Sequence, residues 1–148
     1  MDETTPMLGI KPRIRHAMLP AKDLDRSIDF YRRLLGMNVM RRRRNEAKQL
    51  DAAYVGYGDE DRDPCLELIQ DVSARAPTTM APWTGPIAIA VTDLRKVCAF
   101  LEKKGVKFLT PVQPIAPSRQ DLLALIVDPD GYRIELHERV GPGHAVAS

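Results

Sequence analysis

The sequence predicts an α+β fold made of two βαβββ repeats, and three observations carry that prediction. The stretch "RHAMLPAKDL" (15–24) returns as "GPIAIAVTDL" (85–94), with Pro86 falling on His16. In that alignment Asp23-Leu24 match Asp93-Leu94, Phe30 matches Phe100, and Gly36 lies one place from Gly105. An internal repeat outweighs any local signal in deciding a fold. In each copy a strand-like run precedes a helical stripe, and three more strand-like runs follow. The copies also end alike, "CLEL" against "RIEL", which sets Glu135 where Glu67 stands.

Each element has its own signal. "IRHAMLP" reads as a strand, and Asp23 caps a helix whose apolar residues Leu24, Ile28, Tyr31 and Leu35 recur at helical spacing. Gly36 suits the exit from that helix. "MNVM", "AAYVGYG" and "CLELIQD" supply the three strands of the first copy. In the second copy "IAIAV" is a strand and Thr92 or Asp93 the cap. Leu94, Val97, Cys98 and Leu101 form the helical stripe, and Gly105 ends it. "VKFLT", "LLALIVD" and "YRIELHE" complete the set, with "DPDG" a turn between the last two.

At 148 residues the chain suits one compact domain, or two small halves that share a core. The expected organisation is a single domain over 1–148, with repeat 1 at about 13–71 and repeat 2 at about 85–138. Residues 1–12 and 139–148 read as tails. A net charge of +2 gives no reason to expect a nucleic-acid partner. No apolar run approaches the ~18 residues of a membrane helix, and "MDETTPMLGIKP" lacks a signal-peptide pattern. No membrane association and a cytoplasmic location are therefore expected. Cys98 sits on the helical stripe as a small core hydrophobe, and Cys65 forms no C-x-x-C motif with it.

One βαβββ unit is a twisted sheet with its helix on one face. Two such sheets make a curved trough of mixed strands, and polar residues pointing into it need an explanation. His16, Glu67 and Glu135 each interrupt an otherwise apolar strand. A single such His is ordinarily a satisfied core residue, and a single such Glu a solvent-facing one. Three at repeat-equivalent places suggest a divalent-metal site suited to Zn, Ni, Mn, Co or Fe.

"HAMLPAKDLDRSIDFYRRLLGMNVMR", "AYVGYGDE" and "DPDGYRIEL" resemble the glyoxalase I (lactoylglutathione lyase) family, and more broadly the vicinal oxygen chelate superfamily, whose glyoxalase/bleomycin-resistance/dioxygenase fold is this double βαβββ trough. The resemblance covers about residues 13 to 138. It implies one divalent metal per site, with His16, Glu67 and Glu135 as ligands, Glu135 as the catalytic base and Glu67 as its partner. The family's fourth ligand position holds Pro86, which has no donor atom. His137, two residues beyond Glu135 on one strand face and ~6.6 Å along it, is a possible substitute ligand. Otherwise the metal keeps an open position, as catalytic metals do. Pro86 itself is tolerated at the first residue of a strand.

The family's glutathione-binding groups are altered. An Arg expected four residues after the first His is Pro20, and an Asn expected four after the first Glu is Asp71. The resemblance implies a small-molecule substrate, and these two departures from it imply that the substrate is taken without glutathione. Arg119 is the residue to suspect should glutathione be used after all. Of the run Arg41 to Arg44, strand alternation directs either Arg41 and Arg43 or Arg42 and Arg44 into the trough, where an Arg can hold a substrate carboxylate or phosphate. No aromatics interleave the run as a nucleic-acid surface would require.

The reading is a metalloenzyme, a lyase or isomerase, that moves a proton on a small α-oxygenated carbonyl compound. Its rivals are a metal-free binding or resistance protein of the same fold and, last, an extradiol-type ring-cleaving dioxygenase. The resemblance also implies a homodimer with shared sites, His16 and Glu67 coming from one chain and Glu135 from the other.

Overall fold

A computed structural model describes residues 12–73, 86–115 and 120–139. The first repeat contains β1 (His16–Pro20), α1 (Leu24–Asp29), β2 (Asn38–Asn45), β3 (Leu50–Gly56) and β4 (Cys65–Asp71). The second contains β5 (Ile87–Ala90), α2 (Leu94–Lys103), β6 (Phe108–Pro114), β7 (Leu122–Val127) and β8 (Arg133–Glu138). Each repeat forms a four-stranded mixed sheet, in the orders β1-β4-β3-β2 and β5-β8-β7-β6. In both, the first strand runs parallel to the last and the other neighbours are antiparallel. The two βαβββ units expected from the repeat are thus present strand for strand.

Both helices start as the sequence indicates. The Asp23 side chain accepts from Arg26 N at 3.0 Å, and the Asp93 side chain, rather than Thr92, accepts from Lys96 N at 3.1 Å. A second cap, also repeated, comes from the last strand of each unit. Leu24 N donates to Gln70 Oε1 at 2.7 Å and Leu94 N to Glu138 Oε2 at 2.8 Å. The first helix is not uniform, because Phe30–Leu34 continue it as a wider π-type turn. That widening ends the α-helical spacing before Leu35, and the chain leaves at Gly36 with φ +71°. The strand expected from "MNVM" begins at Asn38 and runs on through all four arginines.

Alternation along the strands separates two faces. Leu66, Leu68, Val55, Ile134, Leu136 and Ile126 pack with Leu24, Tyr31, Leu94 and Leu101 into one core that spans both repeats. Cys98, 3% exposed, belongs to it. The intervening residues, among them Tyr54, Glu67 and Glu135, face away from the helices.

A polar contact fastens the halves together. The "DPDG" turn between β7 and β8 sits against the first helix, where the buried Tyr31 hydroxyl donates to Asp128 Oδ2 at 2.7 Å. Asp128 Oδ1 accepts from the backbone N–H groups of Asp130 (2.9 Å) and Tyr132 (2.8 Å). Ser27 Oγ donates to Asp130 Oδ2 at 3.0 Å, and the Tyr132 hydroxyl donates to the Pro20 carbonyl at 2.9 Å. Burial lifts the Asp128 carboxyl above the usual range against the pull of these donors, and it pushes the Tyr31 phenol far up.

Candidate active site

In the first sheet a row of partnered residues crosses the strands, Arg41 on β2, Tyr54 on β3, Glu67 on β4 and Met18 on β1. A register shift between Val39 and Arg41 brings Arg41 opposite Tyr54, and alternation then turns Arg43 to the same face. Glu67 is 5% exposed. Its Oε1 accepts from the Tyr54 hydroxyl at 2.8 Å and from Arg43 Nη2 at 3.1 Å, while Oε2 lies 3.0 Å from His16 Nε2. Ala52, the cross-strand partner of Arg43, is small enough to let the guanidinium pass over β3.

Tyr54 is itself clamped. The Arg41 guanidinium lies 4.1 Å from its ring centroid, and the His16 ring meets its edge with centroids 5.5 Å apart. Arg41 is held by two-pronged pairing to Glu60, with Nη2 to Oε1 at 2.7 Å and Nε to Oε2 at 3.0 Å. That pairing holds the Glu60 carboxyl below its ordinary range, and Arg15 adds to it at 3.6 Å. Burial and the bond to Glu67 raise the Tyr54 phenol. Tyr54 therefore donates its proton to Glu67 and keeps it at neutral pH.

The second sheet repeats the carboxylate without its cage. Glu135 pairs across the strands with Ala88 and Leu125, and Leu125 in turn with Thr110. The places of Tyr54 and Arg41 are thus taken by Leu125 and Thr110. Glu135 Oε1 lies 3.2 Å from His137 Nε2, and both side chains are 25% exposed. His137 thus joins Glu135 on one face, as the two-residue spacing requires. Pro86 lies just before β5 and is exposed.

The candidate residues differ in their surroundings. The three polar residues are not all buried, since the His16 side chain is 31% exposed and only Glu67 is enclosed. Nor does enclosing Glu67 require a foreign cation, because Arg43 supplies one. Of the arginine run, Arg41 and Arg43 do face the trough side, but both already have carboxylate partners. Arg42 meets Asp25 at 3.1 Å, and Arg44 meets Glu46 at 2.7 Å and Asp51 at 3.2 Å. Asp71 accepts from Ser73 N at 2.8 Å. Arg119 lies outside the described residues. Tyr54, Glu60 and Arg15 are the members of the site that sequence reasoning passed over. The signal for Tyr54 was an aromatic hydroxyl on the same strand face as Glu67, visible once the register was known.

The His–Glu spacings suit a metal. Two donors each ~2.0–2.2 Å from one ion lie roughly 3 Å apart, so each pair has the separation of one edge of a coordination shell. The edges do not meet within one chain. Among the described residues no three His, Cys, Asp or Glu side chains gather closely enough to hold an ion. Two clefts among the described residues, of about 610 and 760 Å³, are apolar and lie between the repeats near Ile89, Ala90 and Tyr57. Neither is lined by His16, Glu67, Glu135 or His137. Met18, Tyr57 and Phe100 stand exposed at 56%, 54% and 42%.

Relatives and solved structures match most of this chain. A lactoylglutathione lyase of Escherichia coli O157:H7 is 32% identical over 136 residues, covering 92% of this chain and 99% of the relative. The structure of glyoxalase I from Zea mays superposes with a TM-score of 0.78 at 30% identity over 87% of this chain. This chain spans about half of that one, 45% of its length. The trypanothione-dependent glyoxalase I of Leishmania major gives a TM-score of 0.71 at 34% identity, covering 86% of this chain and 87% of the other. No helix among the described residues is long and apolar enough to cross a membrane. The resemblance to glyoxalase I read from the sequence holds, and with it the expectation of lyase relatives. A family model matches residues 13–136, and on that match the chain, with its two βαβββ units and their equivalent carboxylates, belongs to the Glyoxalase/Bleomycin resistance protein/Dioxygenase superfamily.

Proposed function

We propose that this chain is a glyoxalase-type lyase or isomerase that moves a proton on the carbon beside an oxygenated carbonyl, in sites shared by two copies. The observation that carries the reading is the presence of one His–Glu edge in each repeat, His16–Glu67 at 3.0 Å and His137–Glu135 at 3.2 Å. In a two-fold dimer His16 and Glu67 of one protomer meet Glu135 and His137 of the partner subunit, and His137 supplies the imidazole that Pro86 lacks. These residues together fit one divalent cation (Zn, Ni, Mn, Co or Fe), and none suffices alone. When bound, such an ion supplies Lewis-acid stabilisation of negative charge on a substrate oxygen.

The two carboxylates have different tasks. Glu67 is fixed by Tyr54, Arg43 and His16, so it anchors. Glu135 has Leu125 and Ala88 beside it and only His137 within reach among the described residues, so its carboxylate is the one able to take and return a proton. The exposed apolar residues Met18, Tyr57 and Phe100 and the two apolar clefts favour a covering second copy. A single domain with its two repeats then contributes half of each site.

Complementation tests the assembly. One variant carries Glu135→Ala and the other His16→Ala with Glu67→Ala, and each alone is expected to be inactive. Refolded together they are expected to regain one intact site per mixed dimer, read as bound metal and as exchange of hydroxyacetone C–H hydrogens into D2O. Mixed dimers that recover neither would disprove the shared site. A wild-type chain that exchanges no small α-oxygenated carbonyl compound, with or without metal, would favour a binding protein instead.

Methylglyoxal with glutathione is expected to be a poor substrate. Pro20 offers no side-chain donor, and Asp71 repels a carboxylate. Charge-assisted hydrogen bonds are worth ~1.5–3 kcal/mol each, so losing two lowers kcat/KM by a factor of hundreds or more if they add. Steady-state kinetics with and without glutathione measure this, and efficient turnover would point to Arg119.

A further inference from the structure

We propose that Arg43 is a built-in counter-ion that competes with the metal for Glu67 and holds the chain's metal affinity below the level its donors would otherwise set. The inference rests on the metal reading above and adds a control to it. Glu67 is the enclosed carboxylate of the site, and a bare buried carboxylate is costly. Arg43 offsets that cost in the metal-free protein through its bond to Oε1 at 3.1 Å. A guanidinium stays charged at any physiological pH. A dication on the His16–Glu67 edge then shares one carboxylate with a fixed positive charge, and the two repel.

Three features make Arg43 the group that yields. Its side chain is 48% exposed, so it can exchange Glu67 for water. Tyr54, the other donor to Oε1, is 4% exposed and clamped by Arg41 and His16, so it stays. Being neutral, Tyr54 orients the carboxylate without repelling a cation, as groups behind a metal ligand commonly do. The other trough-facing arginine, Arg41, is tied to Glu60 and does not reach Glu67. Glu135 has no equivalent cation, since the neutral Gln113, opposite Leu123, stands where Arg43 stands opposite Ala52. The control therefore acts on one edge of the site only. It stabilises the empty protein and makes the ion exchangeable.

The test is a titration of the metal-depleted full chain with Ni(II) and Co(II) by calorimetry, using wild type, Arg43→Met, Arg43→Lys and Tyr54→Phe. Arg43→Met is expected to bind at least tenfold more tightly than wild type, and Arg43→Lys, which keeps the charge, to stay within a few-fold of it. The metal-free Arg43→Met protein is expected to melt lower than wild type and to gain more in Tm from the metal. Arg43→Gln replaces the Met variant should that one fail to fold. Wild type and Arg43→Met binding one ion with equal affinity would overturn the inference and leave the metal reading standing. If no variant bound either ion, both would fall. A Tyr54→Phe chain that tightened as much as Arg43→Met would show that any donor to Oε1 competes, and would overturn the charge argument.

Discussion

Glu135→Gln is expected to lower turnover by about 10²–10⁴-fold while leaving the fold intact, because general-base contributions are of that size. Gln has nearly the volume of Glu, and Leu125 and Ala88 on either side of position 135 impose no polar demand on it. What is lost is the capacity to hold a proton, together with the charge that Glu135 brings to the cation. Glu67→Gln is expected to behave differently. Its side-chain oxygen can still accept from Tyr54, whereas the charge that pairs with Arg43 disappears, so the change falls on metal affinity more than on proton transfer. Deuterium exchange of hydroxyacetone and metal content, measured on both variants, separate the two roles. A Glu135→Gln protein with full metal and full exchange would move the base to another residue.

Asp128→Ala is expected to cost about 3 kcal/mol or more, because it leaves three donors without an acceptor at the joint between the halves. Those donors are the Tyr31 hydroxyl and the backbone N–H groups of Asp130 and Tyr132. Asp128→Asn is expected to cost about 1 kcal/mol, since its oxygen still accepts from both amides and its NH2 can donate to the Tyr31 oxygen. The two variants also differ from wild type in pH dependence. Burial raises the Asp128 carboxyl in the folded chain above its unfolded value, so the native state binds more protons between those two values. This part of the stability is complete below the unfolded pKa and declines as pH rises through the folded one. Glu60, lowered by Arg41, acts in the opposite direction and loses its contribution as pH falls. Urea unfolding of wild type and Asp128→Asn across the carboxylate range isolates the Asp128 part as the difference between the curves. A difference that did not change with pH would show that Asp128 titrates normally.

Much of the fold was legible in the chain because its signals are short-ranged. Asp23 and Asp93 sit beside the N–H groups they cap, and the apolar spacing of Leu94, Val97, Cys98 and Leu101 is a property of one helix. The repeat itself located Glu67 and Glu135 at equivalent strand positions, and two-residue alternation put His137 on the face of Glu135. Less was legible where local geometry departed from its ideal. The π-type turn at Phe30–Leu34 interrupted the α-helical spacing ahead of Leu35, which still packs against the core, and the shift between Val39 and Arg41 chose which arginines faced the trough.

What the amino-acid order determined by itself was the double βαβββ plan, the loss of a donor at Pro86 and the equivalent placing of Glu67 and Glu135. Tertiary structure alone decided how the charges are compensated. Arg43 and Glu67 are 24 residues apart and Tyr31 and Asp128 are 97 apart, so no local pattern announces either pair. The partner of a buried charge is set by strand register and by how the two repeats share a core, and both depend on packing across the whole chain. That is why the sequence pointed to a cation for Glu67 while the fold supplied Arg43 from β2, across the intervening β3.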